Sequence, residues 1–483
     1  MNSPKTRVAS SVGWSFLTRY SSKLIGMVNT LILARLLSPE DFGIVAMASI
    51  FINMLMAMTE AGIHLYVIRH KEDDNRIYNS AWTANLIQAL VVALLMLLLA
   101  PYVADFFNQQ ALVEIIYCLA LVRLLEGAKN IGIFIAQKQL NFRLDFKLSF
   151  YTKISSVIVT VALGFWLRSY WALVWGQVLS AIVGLVLSYT MFSYRPALSL
   201  YKWRDILRYS ASTLPFSIGG FINGQADVII VGRMATADFL GKYQMGLNLA
   251  GMFTRELMMP VVRGLLPNFA IVKETAEGKK FLAFAITGAV YVFVPLGVGL
   301  NAVAPEFVAT LLGDKWLSVT PILAWFSLYT MMTGIMMFLG GQFLIVMGRE
   351  KLSNRLVWMR SVILFSTIFL TLYLSDYHAL PRSLFLSACV ALPIVLLVVT
   401  RVLAFNLAQL LLQWIPPVLS ALAMWMLIRW LPWPEWPMAI MLIVKVLAGA
   451  LCYGVCVAVF YLLRGMPSDS LEAFLIRKLM PAR

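Results

Sequence analysis

Apolar stretches about 20 residues long recur from Val12 to Leu463, and this recurrence limits what the chain can become. A helix of that length crosses a ~30 Å hydrocarbon core and satisfies its own backbone hydrogen bonds there. The chain is 61% hydrophobic and 13% charged, whereas soluble domains are roughly a quarter charged. The fold class expected is therefore an all-α, polytopic membrane protein. The first stretch is too long for a cleaved signal peptide, carries Arg19 and Lys23, and lacks a small-residue cleavage site, so it is expected to stay as a span.

Fourteen spans are expected, at 12–34, 42–64, 79–101, 112–135, 148–167, 170–192, 208–232, 240–262, 281–303, 319–346, 357–374, 383–404, 411–430 and 438–463. The tenth is overlong, and a tilt or a break at Gly340-Gly341 would accommodate it. Loop charge tests the count. One side collects 25 basic residues, Arg360 among them, and the other collects 7. That asymmetry predicts cytoplasmic N- and C-termini. The net charge of +16 then marks loops beside anionic lipid, not a nucleic-acid partner. Leu198–Tyr209 and Ser468–Leu479 read as interfacial helices. Trp430, Trp433 and Trp436 read as an outer interface belt.

Metal and cofactor chemistry find no support in the sequence. His64, His70 and His378 have no ligand spacing, and Cys118, Cys389, Cys452 and Cys456 fall within spans, where small apolar packing suits them. The absence of a Walker-type phosphate loop argues against an ATP-driven pump in one chain.

Asp227 breaks the apolar pattern. A carboxylate inside a span costs about 2.5–3.5 kcal/mol on insertion scales. An internal repeat gives it a place. Ser15, Arg19, Ser22, Gly26 and Asn29 match Thr213, Ser217, Gly220, Gly224 and Asp227, both series stepping by four and three along one helix face. Arg35 then matches Arg233, Gly43 matches Gly241, and the exit phrases RLLSPEDFG and RMATADFLG fill the same gap. Such parallel repeats relate by an axis along the membrane normal, with a transport path between them. Asp227, at the position of Asn29, would line that path. A packing stripe with one hydrogen-bonded Asp is the alternative.

Other in-span charges fall into groups. Arg123 and Glu126 stand i, i+3, a spacing that allows a structural pair. Glu60, Lys129 and Lys153 are placed to snorkel inward. Arg19, Lys23 and Arg255 have no evident partner and suit phosphate, Arg through bidentate hydrogen bonds and Lys as a point charge.

The phrases LARLLSPEDFGIVAM (Leu33–Met47), MTEAGI (Met58–Ile63), QADVIIVGRMATADFLGKYQM (Gln225–Met245), PVVRGLLPNFA (Pro260–Ala270) and IVMGREKLSNR (Ile345–Arg355) carry a resemblance. The chain resembles the oligosaccharide-lipid flippases (Wzx type) of the multidrug/oligosaccharidyl-lipid/polysaccharide exporter superfamily. The resemblance implies two parallel six-helix lobes around a V-shaped cavity, here 1–200 and 201–405, with two further helices and a tail in 406–483. It implies that an undecaprenyl-pyrophosphate-linked glycan crosses to the outer leaflet by alternating access, with no cofactor and no enzymatic step. It places pyrophosphate on Arg19 and Arg255; the in-span charges add Lys23 to that set, and cavity or coupling roles fall to Asp227, Asn29 and Glu60. Partners implied are the glycan-lipid, the bilayer and polysaccharide polymerase machinery. A cation-coupled multidrug exporter of the same superfamily, which would favour an acidic, aromatic cavity, is the first alternative. A membrane polymerase or glycosyltransferase is the second, and it usually needs a long catalytic outer loop that this chain lacks.

Overall fold

The computed structural model describes residues 4–59, 63, 67, 74–139, 141–252, 254, 265, 269, 271, 276–340, 342–403 and 406–465. Every regular element among them is helical. The chain divides into two compact units, Met1–Gly241 and Lys242–Arg483. The first holds α1 (Pro4–Leu36), α2 (Pro39–Thr59), α3 (Asn75–Phe107), α4 (Ala111–Gly127), the short α5 (Gly132–Lys138), α6 (Phe142–Leu167), α7 (Trp171–Met191) and α8 (Trp203–Met234). Beginning inside it, α9 spans Ala237–Gly251. The second unit continues with α10 (Ala276–Ala302), α11 (Ala304–Leu311), α12 (Thr320–Gly340), α13 (Gln342–Val346), α14 (Glu350–Leu374), α15 (Leu380–Leu403), α16 (Leu407–Trp430) and α17 (Met438–Leu463).

Ten helical stretches among the described residues are long and apolar enough to cross a membrane. The first, fourth, seventh and eighth expected spans coincide with α1, α4, α8 and α9, which are not among those ten. Polar stripes dilute α1 and α8, and α4 and α9 have only 17 and 15 described residues. Fourteen crossings thus stay an expectation. The overlong tenth span ends as α12 at Gly340 and resumes as α13 at Gln342. The interfacial helix expected at 198–209 does not stand alone: from Trp203 onward it is the first part of α8. The tail 468–479 lies outside the described residues.

In the first unit α1 packs along α6, α3 along α4, and α6 along α7, while α8 packs against α2 and α3. Through that last contact α8 lies in the first compact unit. Small residues permit the close approaches. A Cβ at Gly127 would collide with Ala89 where α4 meets α3, and one at Gly176 with Thr160 where α7 meets α6. In the second unit α10, α12 and α15 pack in series, α14 against α15, and α16 between α10 and α17. There Glu306 of α11 takes the ammonium of Lys445 of α17 at 2.5 Å, both largely buried. Asn301 of α10 accepts from Trp425 of α16 at 3.0 Å. These contacts hold the last two helices to their unit.

Candidate functional site

The expected repeat has a structural counterpart at the C-terminal ends of α1 and α8, the ends expected to face outward. Both helices close with the same hydrogen bond, Leu37 N to Leu33 O and Ala235 N to Val231 O, each 2.8 Å. Both following helices start on a hydroxyl cap. Asp41 N donates to Ser38 Oγ at 3.2 Å, and Phe239 N to Thr236 Oγ1 at 3.3 Å. Ser38 N also donates back to Asp41 Oδ2 at 2.9 Å, completing a reciprocal capping box. The two exit loops then interlock. A Cβ at Gly43 would fall onto the carbonyl oxygen of Ala237, and one at Gly241 onto that of Pro39. Each pair is the other's counterpart in the repeat, so backbone meets backbone across a local two-fold relation that only glycine permits.

Further contacts tighten this outer end. Arg233 lies over the Phe106 ring at 5.5 Å, and the Asn108 side chain, in the amide orientation that satisfies its neighbours, accepts from Arg233 at 2.8 Å. Asp41 Oδ1 accepts from Tyr170 N at 2.8 Å, tying α2 to the start of α7.

The half of the first unit expected to face the cytoplasm is built differently. A pocket of about 470 Å³ opens among α3, α4, α6 and α7, with Ser22 of α1 at its edge. Its charged lining is Arg123, Glu126, Lys129 and Lys153. The carboxylate of Glu126 goes to Lys129 at 2.6 Å. The close Arg123–Glu126 ion pair that the sequence allowed is not formed among the described residues: Glu126 has i, i+3 neighbours on both sides, and Lys129, just past the helix end, takes it. Arg123 Nε is buried and makes no hydrogen bond, and the same holds for Thr152 Oγ1. Lys153 points toward α1, its Cε 3.5 Å from where a Cβ of Gly26 would stand. A Cβ at Gly184 would stand 2.7 Å from Lys129 Nζ. Carbonyls after α4 that would otherwise attract the cations are taken. Asn85 Nδ2 donates to Gly127 O at 3.1 Å, Tyr189 to Ala128 O at 3.0 Å, and Trp82 Nε1 to Lys129 O at 3.1 Å.

Below the pocket, Tyr194 in the loop after α7 donates to Asn79 Oδ1 at 2.6 Å and to Asn75 O at 3.1 Å. Burial, and next the proximity of Tyr78 and Asp74, push its hydroxyl up to about 12.

The second unit has a pocket of about 240 Å³ with Thr254, Thr330, Thr333 and Ser353 around Arg360. Sequence counting placed Arg360 in a cytoplasmic loop. It lies instead ten residues into α14, about 15 Å from the helix start. A register at 208 residues finds this relation: RLDFKLSFYT (Arg143–Thr152) lies over KLSNRLVWMR (Lys351–Arg360), which pairs Leu148 with Leu356 and Thr152 with Arg360. All four of these residues line their own unit's pocket. The sequence reading treated Lys129 and Lys153 as snorkelling side chains and did not use this second register.

Of the residues expected to hold pyrophosphate, Arg19 and Lys23 are exposed on α1, and Arg255 lies outside the described residues, as does Glu60. Lys23 is not without a partner. Asn29 is half-buried, with an Oδ1 that makes no hydrogen bond. Asp227 is half-buried on α8 and is engaged in a polar or charged interaction. No cluster of three or more metal-ligating side chains occurs among the described residues.

Comparison with known proteins follows this geometry. A family profile described as "Polysaccharide biosynthesis protein" matches residues 32–321. The succinoglycan biosynthesis transport protein ExoT of Rhizobium meliloti (strain 1021) is 25% identical over 324 residues, 66% of each chain. The lipopolysaccharide biosynthesis protein WzxC of Escherichia coli (strain K12) is 24% identical over the same share. The chain thus matches about two thirds of the length of these relatives. Among solved structures, the lipid II flippase MurJ in an inward closed conformation superposes with a TM-score of 0.68 at 15% identity, covering 93% of this chain and 99% of that one.

Proposed function

The chain belongs to the polysaccharide biosynthesis protein family, and from that membership we propose that it moves an undecaprenyl-pyrophosphate-linked oligosaccharide from the cytoplasmic to the outer leaflet of the bacterial inner membrane. The observation that carries the reading is the family match over 32–321 on a chain with the fold of a lipid II flippase. The chemistry of the spans agrees with it. Arg19 and Lys23 stand exposed one helical turn apart on α1, a pairing suited to a pyrophosphate diester. Arg255 joins them in this reading. A cation-selecting exporter has less use for such residues.

The cycle we infer is alternating access, with both termini cytoplasmic. A membrane potential, inside negative, favours outward movement of an anion by roughly 2.3 kcal/mol per charge per 100 mV. The costly step is then the return of an empty path lined with repelling cations. Asp227, with Asn29 at the matching place and Glu60 near the inner end, lowers that cost by pairing with a cation or taking up H⁺ or Na⁺. Polysaccharide polymerase machinery is the expected consumer of the flipped product.

The test is flipping of a fluorescent polyprenyl-pyrophosphate glycan by the purified protein in proteoliposomes. Flipping that needs the pyrophosphate supports the reading. Transport of a cationic dye with no glycan-lipid movement would replace it with the exporter alternative.

A further inference from the structure

We propose that the pocket among α3, α4, α6 and α7 is an anion site in its own right, taking a phosphate-class dianion on Arg123 and Lys153. Three cations line it and only one carboxylate does, and that carboxylate is spent on Lys129. Neither Arg123 nor Lys153 has an ion pair among the described residues. Cations held in a membrane-embedded bundle are costly unless paired or hydrogen-bonded, so two of them facing one cavity call for a counter-ion.

The cavity shows where that ion sits. Arg123 Nε and Thr152 Oγ1 are both buried and both lack a hydrogen-bond partner among the described residues. A phosphate oxygen accepts from a guanidinium, an ammonium and a hydroxyl alike, so one ligand satisfies both orphaned atoms and both cations. Lys153 is eleven residues into α6, about 16 Å from its cytoplasmic end, and it turns toward Gly26 of α1. Glycine at 184 leaves the room that Lys129 occupies. A volume of about 470 Å³ admits a phosphate or pyrophosphate group with water.

The second unit repeats the arrangement independently. Its pocket sets Arg360 among hydroxyls with no carboxylate in the described lining, at the place that Thr152 holds in the first. A pocket with cations in excess of carboxylates in each half, arising from different residues, is hard to reconcile with chance snorkelling.

Glu126 gives the site an internal competitor. While it holds Lys129, that ammonium is shared, and removing its charge leaves Lys129 for the ligand as well. The proposal stands apart from the translocation reading, because it concerns binding, which needs no transport.

The experiment uses the full chain in nanodiscs of neutral lipid, titrated with inorganic pyrophosphate and with inorganic phosphate and followed by calorimetry. A second arm adds phosphatidic acid to the discs and reads retained lipid by native mass spectrometry. Binding below millimolar in the first arm assigns the site to the free anion, and retained phosphatidic acid assigns it to a lipid headgroup. In whichever arm responds, Arg123→Gln with Lys153→Met weakens binding at least tenfold, while Lys351→Gln on the exposed start of α14 leaves it unchanged. Glu126→Gln tightens binding several-fold, a direction that misfolding does not produce. No binding in either arm overturns the proposal, as does binding indifferent to the double substitution or weakened by Glu126→Gln.

Discussion

The two ends of the first unit solve opposite problems. At the end expected to face outward, backbone closes on backbone: Gly43 against Ala237, Gly241 against Pro39, with hydroxyl caps and an Arg233 latch satisfying the remaining polar groups. In the half expected to face the cytoplasm, space and charge are left over: a pocket, cations in excess of carboxylates and two orphaned polar atoms. A contact made of small residues and a few hydrogen bonds closes tightly yet buries little apolar area, so it opens at modest cost. Groups that bind a ligand must instead carry a standing penalty until the ligand arrives. Closure and binding are thus assigned to different residue types at different depths.

The sharpest way to break the contrast is to add side chains where the outer loops cross. Gly43→Val or Gly241→Val cannot be accommodated without separating the loops, because the obstacle is a carbonyl oxygen and not a flexible side chain. Glycan-lipid flipping is expected to fall to background. In a background with the native cysteines replaced, Ser38→Cys should react faster with an impermeant maleimide when Gly43→Val is present. Normal flipping with unchanged labelling would mean that the outer contact is not part of the cycle.

Arg19 comes next. Its exposed position on α1 suits a ligand contact more than a structural pair. Arg19→Ala should lower flipping at least tenfold with protein level unchanged, and Arg19→Lys should keep part of it, since charge survives while the bidentate geometry is lost. Full activity of the Ala variant would move pyrophosphate recognition elsewhere. Asp227→Asn should act more mildly, slowing turnover several-fold while substrate still binds from inside. Flipping unchanged at every imposed pH and Na⁺ gradient would reduce Asp227 to a packing residue.

The contrast also separates what the sequence reveals from what it hides. Repeated glycine and cap positions at a spacing of 198 residues are local signals, and the loops they mark fold alike. Span positions follow from hydrophobic length. The partner chosen by Glu126 is not a local signal: Arg123 and Lys129 are equally spaced from it, and the carbonyl donors from Trp82, Asn85 and Tyr189, brought in from α3 and α7, shape the surroundings. Arg360 was hidden because a basic residue at a helix start reads as a loop charge until the helix start is known. The Glu306–Lys445 pair joins residues 139 positions apart and has no periodic signature.

The smallest effect expected is at Tyr194, and it sharpens the comparison from the inner side. This residue belongs to the same end as the pocket yet is engaged through Asn79 and Asn75. If openness there resides in the pocket alone, Tyr194→Phe should cost stability and leave anion binding untouched. Losing its hydrogen bonds costs about 1 kcal/mol, a fall in Tm of a degree or two for a chain of this size. The pH dependence has a definite sign. The folded hydroxyl is raised to about 12, above the usual value of 10.0, so the protonated form supports the fold. That support is complete below pH 10 and lost as pH rises from there through 12. Thermal melts of the two proteins should therefore differ by a constant amount up to pH 10 and converge above it. A Tyr194→Phe variant that loses pyrophosphate affinity instead would mean that the loop and the pocket form one unit, and the division between a satisfied rim and an unsatisfied pocket would not hold.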